Sequence, residues 1–146
     1  MSYAALDRRA AGVARVLTER GVRPGDRVAL LLGNNWRFAV ALLSVWRLGA
    51  TAAPLNPLLG REDQRDIVDD LAPKLVVDDV PLVEGEGPIA AGAAPALILY
   101  TSGSTGRPKG AVLSQAATIA ANRSWAETAP RAATGSTLCA RYIYSV

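Results

Sequence analysis

The chain has 146 residues, half of them hydrophobic and a fifth charged, which suits one modest domain with a real core. Its formal net charge is +3 without any dense basic run, so no nucleic-acid footprint is marked and no nucleic-acid partner is expected. With no histidine and a single cysteine, Cys139, internal disulfides and histidine triads are excluded and no zinc site is expected.

Met1-Ser2-Tyr3-Ala4 lacks the charged start and apolar run of a signal peptide. The longest apolar region, Phe38 to Leu43, is too short to span a bilayer. No transmembrane segment is expected, and a cytoplasmic location follows as the default. Ser2 is a good N-cap, and Leu6, Ala10, Val13 and Leu17 recur at helical spacing, so residues 3–20 are predicted helical, with Gly21 at the C-terminal cap. Arg23-Pro24-Gly25-Asp26 signals a turn, and the unbroken apolar run Val28–Leu32 predicts a strand buried on both faces.

Asn34-Asn35 precedes a second helix through Phe38, Ala41, Leu42, Val45, Trp46 and Leu48, ended by Gly49. Residues 50–53 form a short strand, and Pro54-Leu55-Asn56-Pro57 must be extended or turning. A third helix over 61–71 turns Ile67, Val68 and Leu71 inward and stops at Pro73; 75–77 is another strand. Residues 78–95 shift to Gly, Pro, Ala and acids without periodicity and are predicted to be a loop or linker. Residues 96–100 are an apolar strand, 111–113 a returning strand, and Ser114 caps a helix through about Glu127; Leu138–Tyr144 is a further candidate strand. Strands alternating with helices predict an α/β fold with a mostly parallel layered sheet and flanking helices.

The chemistry concentrates in Tyr100-Thr101-Ser102-Gly103-Ser104-Thr105-Gly106-Arg107-Pro108-Lys109-Gly110, directly after a strand. Glycines admit close backbone approach, and a run of turning residues can aim several N–H groups into one anion-binding concavity. The hydroxyls of Thr101, Ser102, Ser104 and Thr105 add donors, and Lys109 adds a full charge. Such a site wants phosphate. It is neither the usual nucleotide loop, in which lysine follows glycine and precedes Ser/Thr, nor the three-glycine dinucleotide fingerprint. By composition alone the run could equally be a polar hairpin turn.

The order of residues at 100–110 resembles the signature loop of the adenylate-forming (AMP-binding) superfamily, which includes acyl-CoA synthetases, peptide-synthetase adenylation domains and luciferases. Upstream, Tyr3–Asp7, Gly21–Ala29, Gly49-Ala50 and Pro54–Pro57 are similar, in order, to that family's N-terminal subdomain, and the likeness extends over about residues 2–128. It implies a ligase, most like an acyl-CoA synthetase or long-chain fatty-acid–CoA ligase. Such an enzyme activates a carboxylic acid with ATP to an acyl adenylate and passes the acyl group to the thiol of coenzyme A. By the same resemblance Thr101, Ser102, Gly103, Ser104, Thr105, Gly106, Lys109 and Gly110 would wrap the phosphates, Lys109 and Thr101 would carry the catalytic load, and Mg2+ would share the neutralisation. No metal ligand is assigned in this chain.

The family's adenine and ribose contacts, magnesium glutamate and C-terminal lysine have no counterpart here. Ser114 is followed by Gln115 where histidine is common, and Leu138–Tyr144 lacks the usual proline and histidine. The chain is therefore expected to be an incomplete N-terminal AMP-binding domain with the C-terminal domain absent. Its parts are a βα region at 1–77, a linker at 78–95, a phosphate-binding strand–loop–strand at 96–113, and a helix and tail at 114–146. The alternative is a non-catalytic polyphosphate-binding module or a truncated, frameshifted or decayed copy. Among other residues, Trp46 is expected in the core, Trp36 and Trp125 are open, and Asp69-Asp70, Asp78-Asp79, Glu84 and Glu86 are expected to be solvated surface acids.

Overall fold

The computed structural model describes residues 1–90, 95–101 and 108–128, so the candidate strand at Leu138–Tyr144 and the side chain of Trp125 lie outside the described residues. The elements run α1 (Tyr3–Glu19), β1 (Arg27–Leu30), α2 (Trp36–Arg47), β2 (Thr51–Pro54), α3 (Arg61–Leu71), β3 (Leu75–Val77), β4 (Pro95–Thr101), β5 (Lys109–Ser114) and α4 (Gln115–Thr128). Local chemistry sets the helix ends. The Ser2 hydroxyl accepts from the Ala5 N–H at 3.2 Å, the Asn35 side chain from Arg37 N–H at 2.9 Å, and the Ser114 hydroxyl from Ala117 N–H at 3.1 Å. Gly21, at φ 89°, follows the end of α1, where a left-handed residue ends the helix at no steric cost.

One sheet orders its strands β3-β1-β2-β4-β5. β1 pairs in parallel with β2 and β3, β2 in parallel with β4, and β5 returns antiparallel to β4. The mostly parallel α/β layering is thus observed, with one antiparallel strand at the edge. The order follows from the crossovers: α2 carries the chain from β1 to one neighbour, and α3 carries it back across β1 to the other.

Alternation in β1 divides the core between two faces. Val28 and Leu30 join Val13, Leu17, Phe38, Ala41 and Val45 of α1 and α2, with Trp46 packed against that cluster. Ala29 and Ala53 face the other way, with Leu55, Ile67 and Leu71 on the α3 side. Both faces of β1 are therefore covered, which is why its sequence shows no polar alternation. α1 meets α2 through small residues, and the buried Ser44 hydroxyl lies 3.0 Å from the Ala10 carbonyl oxygen and 2.6 Å from that of Val40.

The stretch after β3 is irregular, as a loop would be, but it packs onto the body of the domain. Residues 78–90 have no regular secondary structure, yet they lie as a strap across α1 and α2. Val80 is buried, Gly85 N–H donates to the Arg8 carbonyl at 3.2 Å, and Ala90 N–H donates to the Arg47 carbonyl at 2.7 Å. Glu84 and Asp79, exposed surface acids as expected, are also paired: Glu84 takes Arg9 at 3.0 Å and Arg8 at 3.2 Å, and Asp79 takes Arg37 at 2.6 Å. Hydrogen bonds from Arg9 and then Arg8 hold the Glu84 carboxyl below its usual range. Trp36 is half exposed beneath the guanidiniums of Arg9 and Arg37, 5.0 Å and 5.5 Å from its ring centre.

Two glycines let the strap lie close. A Cβ on Gly12 would stand 3.0 Å from the Val83 carbonyl oxygen, and one on Gly87 would collide with the carbonyl oxygen of Ala11. Gly87→Ala is accordingly expected to lift the strap and cost about 2 kcal/mol in urea unfolding. An unchanged midpoint would show that the strap is not packed there.

Candidate functional site

The hairpin of β4 and β5 presents the candidate loop. Its register pairs Leu97 with Leu113, Ile98 with Val112, Leu99 with Ala111, Tyr100 with Gly110 and Thr101 with Lys109. Thr101 and Lys109 therefore stand opposite each other at the hairpin mouth, both exposed. Because β4 runs parallel to β2 and β1, the mouth lies at the carboxyl ends of the parallel strands, the edge where open α/β sheets receive ligands. Ser102, Gly103, Ser104, Thr105 and Gly106 lie outside the described residues.

Gly110 has a packing reason to be glycine. A Cβ there would stand 2.9 Å from Ile98 Cγ2 and 3.1 Å from Tyr100 Cζ. The tyrosine ring occupies the space that a side chain at 110 would need. On its far side the Tyr100 hydroxyl donates to Asp70 Oδ2 at 2.6 Å. Asp70 is thus a hydrogen-bond acceptor for the hairpin, although its sequence setting reads as a solvated acid. No local pattern could have revealed this pairing, since the partners are 30 residues apart and meet only because α3 crosses back over the sheet.

Burial, and then the Asp70 carboxylate that accepts its proton, push the Tyr100 phenol well above its ordinary 10.0. A raised acid pKa means the protonated form is favoured by folding. The stabilisation is fully present below about pH 10 and is lost as pH climbs beyond it. Ultraviolet titration checks this among the chain's four tyrosines. The difference between wild type and Tyr100→Phe is expected to leave a phenol titrating above the ordinary value; a component at the ordinary value would contradict the contact.

Among the described residues no group of three or more acidic or cysteine side chains is placed to hold a metal ion. A depression of about 630 Å³, lined in part by Asp26, Arg27, Thr51, Lys74, Ile98 and Val112, lies toward the amino ends of β1 and β2, the opposite end of the sheet from Thr101 and Lys109. No described helix is long and apolar enough to cross a membrane.

Residues 1–94 and 82–143 match the profile of the AMP-binding enzymes. CymA of Salinispora arenicola, a probable non-canonical nonribosomal peptide synthetase, is 32% identical over 158 residues, covering 87% of this chain and 2% of that protein. The long-chain-fatty-acid–CoA ligase FadD13 of Mycobacterium tuberculosis is 31% identical over 162 residues, covering 88% of this chain and 32% of the ligase. The inhibitor-bound crystal structure of the N-terminal domain of FACL13 from Mycobacterium tuberculosis superposes with a TM-score of 0.74 at 30% identity, over 88% of this chain and 41% of that one. The chain thus spans about a third of the ligase it matches and a small part of the synthetase. Its sheet and flanking helices have the fold of the N-terminal domain of adenylate-forming enzymes.

Proposed function

This chain belongs to the AMP-binding enzyme family, and from that premise we propose that it supplies the polyphosphate-binding part of a site that activates a carboxylic acid with ATP. In the first half-reaction a carboxylate oxygen attacks the α-phosphorus of ATP, the bond to the β-phosphate bridging oxygen breaks, and an acyl adenylate and pyrophosphate form. In the second, the thiol of coenzyme A attacks the acyl carbon, AMP leaves with the bonding pair, and the thiol proton passes to solvent.

The observation that carries the reading is the pairing of Thr101 with Lys109 at the mouth of a hairpin on the carboxyl edge of the sheet. Negative charge grows on the pyrophosphate as its bond to the α-phosphorus breaks. Donors already aimed at that charge lower the barrier without having to reorganise. The Lys109 ammonium would neutralise the β and γ groups, and the Thr101 hydroxyl would donate to the same oxygens. Ser102, Ser104 and Thr105 would add hydroxyls, and Gly103 and Gly106 would let backbone N–H groups come close. The name of the ligase relative makes a long-chain fatty acid the first acid to test. The peptide-synthetase relative keeps a carrier-protein thiol as the rival acceptor. A cytoplasmic location, where ATP and coenzyme A meet, accords with this chemistry.

A second reading is a module that binds polyphosphate and catalyses nothing. It is favoured by the exposed setting of Thr101 and Lys109 at the hairpin mouth, an open site for a polyphosphate. Exchange of labelled pyrophosphate into ATP, with and without a panel of fatty and aromatic acids, separates the two. Acid-dependent exchange supports adenylation by this chain. Pyrophosphate binding without exchange leaves the binding module.

A further inference from the structure

The hairpin mouth has a tie to the body of the domain that its own strand pairing does not provide. β4 meets β2 in register at Ala52 and Leu97, and Tyr100 lies three residues closer to the loop. There the tyrosine ring covers Gly110, its partner in the register, and the hydroxyl reaches Asp70 in the last turn of α3. The end of α3 is itself held: Ala72 takes a left-handed conformation at φ 43°, and its N–H donates to the Val68 carbonyl at 2.9 Å. Tyr100 immediately precedes Thr101, and Gly110 immediately follows Lys109. The ring therefore lies against the backbone beside both residues of the mouth.

We propose that Tyr100 is a positioning residue, whose hydrogen bond to Asp70 and packing on Gly110 set the separation and aim of Thr101 and Lys109. The proposal rests on the phosphate-binding reading given above. It gives Asp70 and Gly110 one shared purpose. The glycine leaves room for the ring, and the aspartate tells a tyrosine from a phenylalanine at that position. A hydrogen bond to a charged acceptor is strong enough to hold such an arrangement against thermal motion.

The test uses the whole chain and four variants: Tyr100→Phe, Asp70→Ala, Asp70→Asn, and Tyr100→Phe with Asp70→Ala. Three quantities are read: pyrophosphate affinity by calorimetry, melting temperature, and hydrogen exchange of the backbone amides of residues 109–111. Tyr100→Phe keeps the ring and is expected to weaken pyrophosphate binding about tenfold and to speed exchange at 109–111. Asp70→Ala should match it, and the double variant should be no worse than either, because both remove the same bond. Asp70→Asn keeps an acceptor oxygen and is expected to stay within about threefold of wild type.

A lower melting temperature with affinity unchanged would mean that the contact only stabilises the fold, and would overturn the proposal. Unchanged exchange at 109–111 in Tyr100→Phe would overturn it as well. If the wild-type chain binds no pyrophosphate, the phosphate-binding reading fails by itself. The exchange arm then still decides whether Tyr100 holds the mouth: faster exchange confined to 109–111 keeps the anchor, and unchanged exchange removes it.

Discussion

Lys109→Ala is expected to weaken the binding of pyrophosphate and of ATP about a hundredfold, which corresponds to two charge-assisted hydrogen bonds at the low end of their range. The lysine is exposed at the hairpin mouth, so its removal opens no cavity, and the melting temperature should stay within about 3 °C. Lys109→Arg retains the charge but replaces a compact ammonium with a broad planar fork, and should recover only part of the loss, to about tenfold below wild type. Titration calorimetry on the two variants measures both numbers. If Lys109→Ala binds pyrophosphate as wild type does, Lys109 does not face the phosphates.

The largest effect on stability is expected from Leu30→Ala. Leu30 is fully buried, and it sits between Pro54 of β2 and Val77 of β3 in the sheet register. Its side chain joins the cluster built by α1 and α2. Removing it forfeits transfer free energy and leaves a void, because neighbours packed on three sides cannot collapse into the space. The cost should be about 3–4 kcal/mol, a large share of the about 5–15 kcal/mol by which domains of this size are stable. Val112→Ala, on the outer strand and 62% exposed, should cost less than about 0.5 kcal/mol. Urea midpoints compare them. Equal midpoints would mean that the core does not lie where the structure puts it.

The helices were legible because each obeys a period. The apolar spacing of α1, α2 and α3 put Val13, Leu17, Phe38, Val45, Ile67 and Leu71 inward, and they are buried. The unbroken apolar run Val28–Leu32 was legible as a strand covered on both faces because it shows no alternation. What local pattern could not supply is anything that depends on the crossovers. The strap at 78–90 has no period, and it is held by carbonyls of α1 and α2 and by Arg8, Arg9 and Arg37. Those arginines lie 42 to 76 residues from the acids they pair with. The composition of the strap therefore reads as a linker although its backbone lies on the helices.

The candidate site divides in the same way. The order of residues at 100–110 pointed to phosphate through its glycines, hydroxyls and lysine, but the register that sets Thr101 opposite Lys109 came only with the structure. The part played by Gly110 as space for a ring, and that of Asp70 as the acceptor for Tyr100, required the β2–α3–β3 crossover to be known. Asp70 looked like half of a surface acid pair because its partner Tyr100 lies 30 residues away in sequence.

The central claim is that the β4–β5 hairpin binds the polyphosphate of ATP, and the most direct measurement is a nitrogen–proton correlation spectrum of the labelled chain during titration with pyrophosphate. The amides of residues 101–110 are expected to shift together and saturably, with those around Arg27, Thr51 and Lys74 at the other end of the sheet unmoved. Shifts centred on Arg27, Thr51 and Lys74, or no saturable shift at 101–110, would contradict it.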